Sequence, residues 1–331
     1  MRASICAPVV SVLVLAAACT IQRQSADMRS ADDHLAMMSA ADRAAPDVNP
    51  SEAQGGAQGH PDLPASANAA AARIAASPRH AEWVEIPWGP DASDSLMAWL
   101  VYPVTSRQHT PVVVVVHEIF GLSTWVRAVA DQAAAEGFIA IAPDLLSRVR
   151  GGPSTEELSG DSARKIIRGV STAERSMGIT AAARYAMSLP SAAQRYAVFG
   201  FCWGGSTTWD YAINGGTAGF SGAVAFYGTP YVTNRRPDPD SLAKIHVPMM
   251  LLSGAKDARI GALMPAIDST MQALGKDYFG RNYEGAIHGF MRAQDDPRQQ
   301  RDVAEEQANL AAAQDAWPRT VAFLKKQLGI D

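Results

Sequence analysis

The sequence is poor in cysteine, which occurs only at positions 6, 19 and 202 of its 331 residues. Cys6 lies within an apolar leader and Cys19 directly follows that leader, so Cys202 has no disulfide partner in the rest of the chain. An exported protein that keeps one unpaired thiol is a candidate for thiol chemistry. The scarcity of cysteine therefore directs attention to Cys202.

Blocks of like charge and further long apolar runs are also missing. The chain carries 29 Lys and Arg against 33 Asp and Glu, which gives a net charge of −4 and a pI near 6.0. The even spread of charge argues against nucleic-acid binding and against a store of cations. After the leader, no stretch of about 18 apolar residues predicts a membrane span. With 47% hydrophobic residues, the chain can bury the core of one large α/β domain or two small ones.

Residues 1–19 have the features of an export signal. Arg2 provides a positive start, and the apolar residues 9–18 form a run too short to cross a bilayer comfortably. Cys19 stands where a bacterial lipoprotein carries its lipid, although Ala16 replaces the usual aliphatic residue three positions earlier. Secretion after an A-x-A site is the alternative. We expect a protein of the cell envelope, either periplasmic or anchored to the membrane by a lipid on Cys19.

The next segment, residues 20–79, is rich in Ala, Ser, Asp, Gln, Gly and Pro and nearly free of aromatic side chains. Such a composition cannot bury enough apolar surface to offset the entropy lost on ordering. We therefore interpret this segment as a flexible tether. The folded domain is expected to cover residues 80–331.

The pattern of that domain predicts an α/β fold with a mostly parallel central sheet, helices on both faces and an antiparallel N-terminal hairpin. The hairpin is expected at 83–88 and 96–102. The valine-rich run 111–116 is typical of a strand buried on both faces, and the order strand, helix, strand that follows predicts a right-handed crossover. The later elements are strands at 138–142, 194–199, 222–227, 247–253 and 277–283, and helices at 123–136, 155–168, 172–189, 206–214 and 297–328.

Cys202 lies in the segment GFCWGG (200–205), where a predicted strand gives way to a helix. A nucleophile with a glycine two residues away on either side matches the G-x-S-x-G nucleophile elbow, with cysteine in place of serine. The sharp turn holds the nucleophile at strained backbone angles, and the glycines remove Cβ atoms that would clash. The alternative is a buried structural cysteine in a tight turn.

A thiol nucleophile needs a base within hydrogen-bond reach and a group that fixes the tautomer of that base. Asp257 and His288 each follow a predicted strand, in the order nucleophile, acid, histidine that this elbow favours. Because ligands bind at the carboxyl ends of strands in open α/β sheets, we expect Cys202, His288 and Asp257 to form a triad. His246 precedes its strand and His117 follows an earlier one, so both are weaker candidate bases.

A metal site is not predicted. The dipeptide His117-Glu118 matches the start of the zinc motif H-E-x-x-H, but the last position of that motif is Gly121. No other group of His, Cys and Asp has the spacing of metal ligands. The sequence therefore predicts neither a metal nor a cofactor.

Five segments, taken in order, resemble the dienelactone hydrolase family of α/β hydrolases. They are HEIFG (117–121), APDLLSR (142–148), GFCWGG (200–205), GAKD (254–257) and HGFMR (288–292). The resemblance covers about residues 80–328. It implies the α/β-hydrolase fold and hydrolysis of a small ester or lactone through a thioester on the cysteine.

The resemblance also implies roles for a glutamate and two arginines. Glu118 would interact with Cys202 and help to generate the thiolate, although it could instead cap the following helix. Arg148 and Arg292 would hold a substrate carboxylate, for which the guanidinium fork is well suited. Arg150 could take the place of Arg148.

The oxyanion of the transition state also needs donors. By analogy with the nucleophile elbow, we expect the backbone N–H groups of Trp203 and Ile119 to bind it. Trp203 directly follows the nucleophile, and Ile119 lies in an earlier loop at the end of a strand. The bulk of Trp203 is expected to shape the acyl pocket.

The export signal and the tether depart from the family, whose typical member is cytoplasmic and has neither. This departure argues against a dienelactone as the substrate but leaves hydrolysis intact. The alternative is an envelope protein that binds a ligand without turnover, whereas thiol redox chemistry lacks a resolving cysteine. We expect a monomer whose partner is a small ester or lactone, with no nucleic acid and no membrane contact beyond the lipid.

Overall fold

The computed structural model describes residues 60–88, 94–105, 108–154, 160–233, 236–294 and 302–330. The predicted export signal, Cys19 and the predicted tether up to residue 59 lie outside the described residues. A hydrophobic core cluster extends from Leu63 near the start of this part of the chain to Leu328 near its end.

A mixed eight-stranded sheet forms the centre of the fold. The strands are β1 (Ala81–Trp88), β2 (Asp94–Val101), β3 (Thr110–Val116), β4 (Ile139–Pro143), β5 (Ala192–Phe201), β6 (Phe220–Phe226), β7 (Val232–Thr233), β8 (Arg236–Pro237), β9 (Met249–Gly254) and β10 (Tyr278–Tyr283). Their order across the sheet is β1-β2-β4-β3-β5-β6-β9-β10, and β7 pairs separately with β8. β2 is antiparallel to both β1 and β4, and all pairs from β4 to β10 are parallel. The predicted fold class and hairpin are confirmed.

The helices pack around this sheet. They are α1 (Ala70–Ala75), α2 (Thr124–Ala135), α3 (Ser147–Arg150), α4 (Gly160–Ile167), α5 (Thr172–Met187), α6 (Trp203–Ile213), α7 (Pro239–Ala243), α8 (Ala258–Ala273), α9 (Phe290–Ala293) and α10 (Val303–Leu328). α6 begins three residues earlier than predicted, and α8 was not predicted. No helix in the described part of the chain combines the length and apolarity that a bilayer crossing needs.

Local sequence explains where two of the helices before the elbow, α2 and α5, begin. The Ser123 hydroxyl accepts a hydrogen bond from the N–H of Val126 at the start of α2. α5 starts with a capping box, in which Ser171 and Glu174 each bind the backbone N–H of the other. Both arrangements satisfy donors that a helix leaves unpaired at its first turn.

The position of β3 determines where the functional loops meet. Every residue of β3 is buried, as its β-branched run predicts. β3 pairs in parallel with β4 on one side and with β5 on the other, where Val116 lies opposite Gly200. Because β3, β4, β5, β6, β9 and β10 are all parallel, the loops after β3, β5, β9 and β10 leave from one edge of the sheet.

The predicted domain boundary at residue 80 is wrong, because residues 60–79 pack on the domain. Leu63 and Ala70 are buried in the core, and α1 lies against α2. The indole N–H of Trp125 on α2 donates to the carbonyl of Ala65 at 2.9 Å. The composition of this segment predicted a tether. Alanine side chains are small, however, so a helix rich in alanine can pack closely against another helix even where its hydrophobicity is modest.

Two arginines secure this N-terminal segment. Arg73 donates to the carbonyls of His60 and Leu63 at 3.0 and 3.3 Å, which folds the start of the segment back on α1. The guanidinium of Arg79 forms a fork with the carboxylate of Asp131 on α2, at 2.9 and 2.5 Å. The side chain of Asp131 is only 3% exposed, so its charge depends on this partner.

The variant Arg79→Ala is expected to lower the free energy of unfolding by about 3 kcal/mol, because it leaves the Asp131 carboxylate buried without its ion-pair partner. Urea unfolding followed by circular dichroism measures the loss. The double variant Arg79→Ala/Asp131→Ala removes the stranded charge and should be less destabilised than the single variant. Equal stability of Arg79→Ala and the wild type would mean that the ion pair with Asp131 contributes nothing to the stability of the folded domain.

Candidate active site

Cys202 occupies the turn between β5 and α6, as the elbow motif predicts. Its backbone angles are φ 56° and ψ −116°, a conformation that non-glycine residues rarely adopt. The glycines around it are required by close packing. A Cβ atom on Gly204 would overlap the carbonyl oxygens of Val116 and His117, and one on Gly200 would overlap the carbonyl of Gly204. The turn therefore presses directly against the end of β3.

Asp257 and His288 meet at the same edge of the sheet. Nδ1 of His288 donates to Oδ2 of Asp257 at 2.6 Å, and both side chains are almost fully buried. Asp257 also caps α8, because its Oδ1 accepts from the N–H of Ile260 at 3.2 Å. A carboxylate held in this way fixes the imidazole with its proton on Nδ1 and leaves Nε2 for proton transfer.

Nε2 of His288 is buried and makes no hydrogen bond of normal geometry to a described side chain or backbone group. Burial alone would lower the pKa of His288. The electrostatic influence of the nearby Cys202, the hydrogen bond with Asp257 and the charge of Asp257 outweigh burial and raise the pKa of His288 well above 6.5. The Cys202 side chain and the imidazole of His288 are thus close enough to interact, and this interaction favours the protonated form of His288.

Glu118 lies in the loop after β3 and is 4% exposed. Its Oε2 lies 3.7 Å from Nη1 of Arg292, which follows His288 by four residues. The guanidinium of Arg292 also lies 4.9 Å from the ring centroid of Phe120, within the range of a cation–π contact. The structure thus brings two predicted site residues together as an ion pair beside the elbow.

Arg148 lies apart from this group. Its Nε donates to Asp94 at 2.7 Å, its Nη1 donates to Glu174 at 3.0 Å, and its guanidinium lies 5.0 Å from the Trp88 ring. These four residues line an open cleft of about 1050 Å³ beside β1 and α5, which no member of the predicted triad lines. Since two carboxylates already occupy its fork, the contacts of Arg148 do not support the predicted role in substrate binding.

The alternative residues are also placed by the structure. Arg150 donates to the carbonyl of Gly152 at 3.0 Å and has no described contact with the triad. His246 is exposed before the start of β9, at the opposite edge of the sheet from the triad. His117 is fully buried, and both of its ring nitrogens are hydrogen-bonded to the backbone. Neither histidine therefore competes with His288 as the base.

Sequence reasoning missed two arginines near the elbow. The guanidinium of Arg164 on α4 lies 5.5 Å from the Phe120 ring centroid, so Arg164 and Arg292 contact the same aromatic ring. The buried Arg175 lies 5.1 Å from the ring of Trp203. Nothing in the local sequence distinguishes them from the other arginines of the chain. Within the described ranges, no three His, Cys, Asp or Glu side chains are grouped so as to hold a metal ion.

Comparison with known proteins adds an independent observation. The model of the family described as "Dienelactone hydrolase family" matches residues 96–328. A "Putative carboxymethylenebutenolidase" from Synechocystis is 28% identical over 251 residues, which cover 72% of this chain and 95% of that protein. A "Probable 2-oxo-3-(5-oxofuran-2-ylidene)propanoate lactonase" from Bradyrhizobium is 29% identical over 263 residues, which cover 75% of this chain and 94% of that protein.

A solved structure is similar over the same part of the chain. It is described as "Putative Dienelactone Hydrolase" and comes from Klebsiella pneumoniae. The two chains are 26% identical with a TM-score of 0.61, and the match covers 74% of this chain and 98% of the other. The match is therefore to the whole α/β domain of the relative.

The pKa of His288 is expected to fall in the variant Cys202→Ala. The variant removes the electrostatic influence of the cysteine, which raises the pKa, whereas burial continues to oppose the imidazolium. NMR titration of the His288 ring in both proteins measures the change. Because a raised histidine pKa stabilises the folded state below about pH 6.5 and the gain is lost as the pH rises through the raised value, the variant should also lose stability on the acidic side. Identical titration of His288 in both proteins would show that the thiol and imidazole do not interact.

Proposed function

The chain belongs to the dienelactone hydrolase family, and we propose that it hydrolyses small esters or lactones with Cys202 as nucleophile, His288 as acid and base, and Asp257 as the group that orients His288. One observation carries the proposal. The 2.6 Å bond between Asp257 and Nδ1 of His288 leaves Nε2 to the buried thiol of an elbow cysteine at positive φ. A structural cysteine needs neither the strained backbone nor the buried charged partner.

The proposed reaction proceeds by acyl transfer in two steps. The Cys202 thiolate attacks the carbonyl carbon, and the carbon–oxygen bond of the ester breaks while Nε2–H of His288 protonates the departing alkoxide. A thioester on Cys202 remains. His288 then takes a proton from water, the resulting nucleophile attacks the thioester, and the acid product leaves as the thiolate re-forms. For a lactone, the alcohol and the acid are parts of one product.

The oxyanion of each tetrahedral intermediate is proposed to accept hydrogen bonds from the N–H groups of Trp203 and Ile119. Trp203 is the first residue of α6, and its N–H has no partner within the helix. Among the described residues, nothing accepts a hydrogen bond from the N–H of the buried Ile119. The pairing of Val116 with Gly200 supports this assignment, because it aligns the two loops that carry these donors.

A preference for substrates with a carboxylate is proposed to depend on Arg292 and Arg164 rather than on Arg148. Arg292 and Arg164 both contact Phe120, whose loop also carries the predicted oxyanion donor Ile119. A substrate carboxylate that binds Arg292 would compete with Glu118, which is 3.7 Å away. Released from this pair, the Glu118 carboxylate would be a second proton acceptor for the thiol. This competition would couple thiolate formation to the arrival of a carboxylate-bearing substrate.

The protein is further proposed to act in the cell envelope after export by residues 1–19, with a lipid on Cys19. The support is the sequence of the leader, which lies outside the described residues. Intact-mass measurement of the membrane-extracted protein is expected to show an N-terminus at Cys19 with the added mass of acyl chains. An unmodified N-terminus at residue 19 or 20 would replace the anchor with simple secretion.

Hydrolysis of p-nitrophenyl acetate and of a set of small esters and lactones tests the proposed function. The wild type is expected to turn them over, and Cys202→Ala should lower kcat/KM at least about a thousandfold, since loss of the nucleophile removes the covalent route. Mass spectrometry should detect an acyl group on Cys202 in the wild type and none in the variant. Equal inertness of the two proteins on the whole set would favour a ligand-binding protein without turnover.

The same assay, with ester pairs that differ only in a free carboxylate, tests the proposed preference. Arg292→Gln is expected to raise KM for the carboxylate-bearing ester about tenfold or more, because a charge-assisted hydrogen bond contributes roughly 1.5–3 kcal/mol. Arg164→Gln should act in the same direction. Arg148→Gln is the matched control, and the ratio between the two esters should not change in it. A change in Arg148→Gln alone would restore the original prediction for that residue.

A further inference from the structure

We propose that His117 is a positioning residue that orients the peptide group between Glu118 and Ile119, so that the Ile119 N–H is held as an oxyanion donor. The inference rests on the proposed function, because it deepens the assignment of the oxyanion donors. His117 itself does not touch the substrate in this proposal. It acts through a backbone group that does.

The hydrogen bonds of His117 determine which ring nitrogen carries its proton. The N–H of Leu145 lies 3.2 Å from Nε2 of His117. A backbone N–H can only donate, so Nε2 is the acceptor. The single ring proton of the neutral imidazole is therefore on Nδ1, which donates to the carbonyl oxygen of Glu118 at 2.7 Å. The carbonyl oxygen of Glu118 can only accept, so both hydrogen bonds require the same tautomer of His117, with the proton on Nδ1.

The carbonyl that His117 binds and the predicted oxyanion donor belong to the same peptide unit. The C=O of Glu118 and the N–H of Ile119 lie in one plane and point in opposite directions, since the peptide is planar and trans. A bond that fixes the carbonyl oxygen therefore fixes the direction of the N–H. A second bond, from the N–H of Gly121 to the same oxygen at 3.2 Å, supports this orientation. Donation to the carbonyl also polarises the peptide group and strengthens its N–H as a donor.

His117 also contacts the residue that supplies the other predicted donor. Its ring stacks on the Trp203 ring with centroids 5.5 Å apart and an interplanar angle of 17°. Arg175 lies 5.1 Å from the same indole ring and is hydrogen-bonded to Thr207 of α6 at 3.3 Å. One imidazole thus joins the loop after β3 to the first residue of α6. The relative position of the two donors depends on this contact.

The neutral form of His117 is the one that the site needs. Burial lowers its pKa, and this effect exceeds the opposing influence of the nearby Asp144 carboxylate. A protonated ring would carry a hydrogen on Nε2 and could not accept from Leu145. Neither nitrogen is available for proton transfer while both bonds are made, which agrees with a positioning role.

Two substitutions separate the two hydrogen bonds. The amide nitrogen of Asn reaches about as far from the backbone as Nδ1 of histidine, so His117→Asn can still donate to Glu118 while it loses the bond from Leu145. The amide oxygen of Gln reaches the position of Nε2, so His117→Gln can still accept from Leu145 while it loses the donor to Glu118. Both variants lose the aromatic stack on Trp203, which makes each a control for the other.

Steady-state kinetics of both variants with p-nitrophenyl acetate test the inference. His117→Gln is expected to lower kcat about 10- to 100-fold with little change in KM. Removal of a whole oxyanion donor typically lowers kcat about 100- to 1,000-fold, and a misaligned Ile119 N–H should cost less than that. His117→Asn should keep kcat several-fold closer to the wild type. Thermal unfolding should show similar stability in the two variants.

Three outcomes would overturn the inference. The first is an equal loss of kcat in His117→Asn and His117→Gln, and the second is a His117→Gln variant as active as the wild type. The third concerns the wild type alone and so does not depend on whether a variant folds. Nitrogen-15 NMR is expected to show the ring proton of His117 on Nδ1, and a proton on Nε2 would exclude the proposed bond to Glu118. A wild type that turns over no ester would instead refute the proposed function, and the inference with it.

Discussion

The close approach between the end of β3 and the turn after β5 is the constraint on which the rest of the site depends. Gly204 faces the carbonyl oxygens of Val116 and His117 with no room for a Cβ atom. This contact is possible only because the chain turns sharply at Cys202, whose positive φ is held by the surrounding core. The same contact places the loop after β3 beside the nucleophile. Close packing of backbone on backbone thus creates both the strained cysteine and the surroundings in which it can react.

Two largely buried ion pairs belong to the candidate site. Asp257 pairs with His288, and Glu118 pairs with Arg292. In a poorly hydrated site each charge depends on its partner, because an isolated buried charge is costly. A thiolate on Cys202 adds a negative charge that the imidazolium can balance. The free energy of burying these charged groups therefore depends on whether Cys202 is a thiolate, which is the form proposed to act as the nucleophile.

The N-terminal segment, residues 60–79, is hydrogen-bonded to the part of the chain that carries His288 and Arg292. The N–H of Ala67 donates to the carbonyl of Arg292 at 3.0 Å, and the buried amide of Gln294 donates to the carbonyl of Pro64 at 2.9 Å. These bonds hold the loop that carries both His288 and Arg292. Residues whose composition is that of a linker thereby stabilise the side of the sheet that carries the candidate active site.

The sequence by itself determined the α/β class, the order of the strands of the main sheet along the chain and the candidate residues Cys202, Asp257 and His288 of the proposed triad. These features depend on local patterns, such as the valine run of β3, or on short motifs whose glycines meet a local steric requirement. The tertiary structure alone decided the partners of the arginines and the extent of the domain. A long arginine side chain can reach partners far along the chain, as when Arg148 pairs with Asp94 and Arg164 contacts Phe120. Likewise, the alanines of residues 60–79 are buried only because α2 offers a matching surface, and no window of sequence contains that surface.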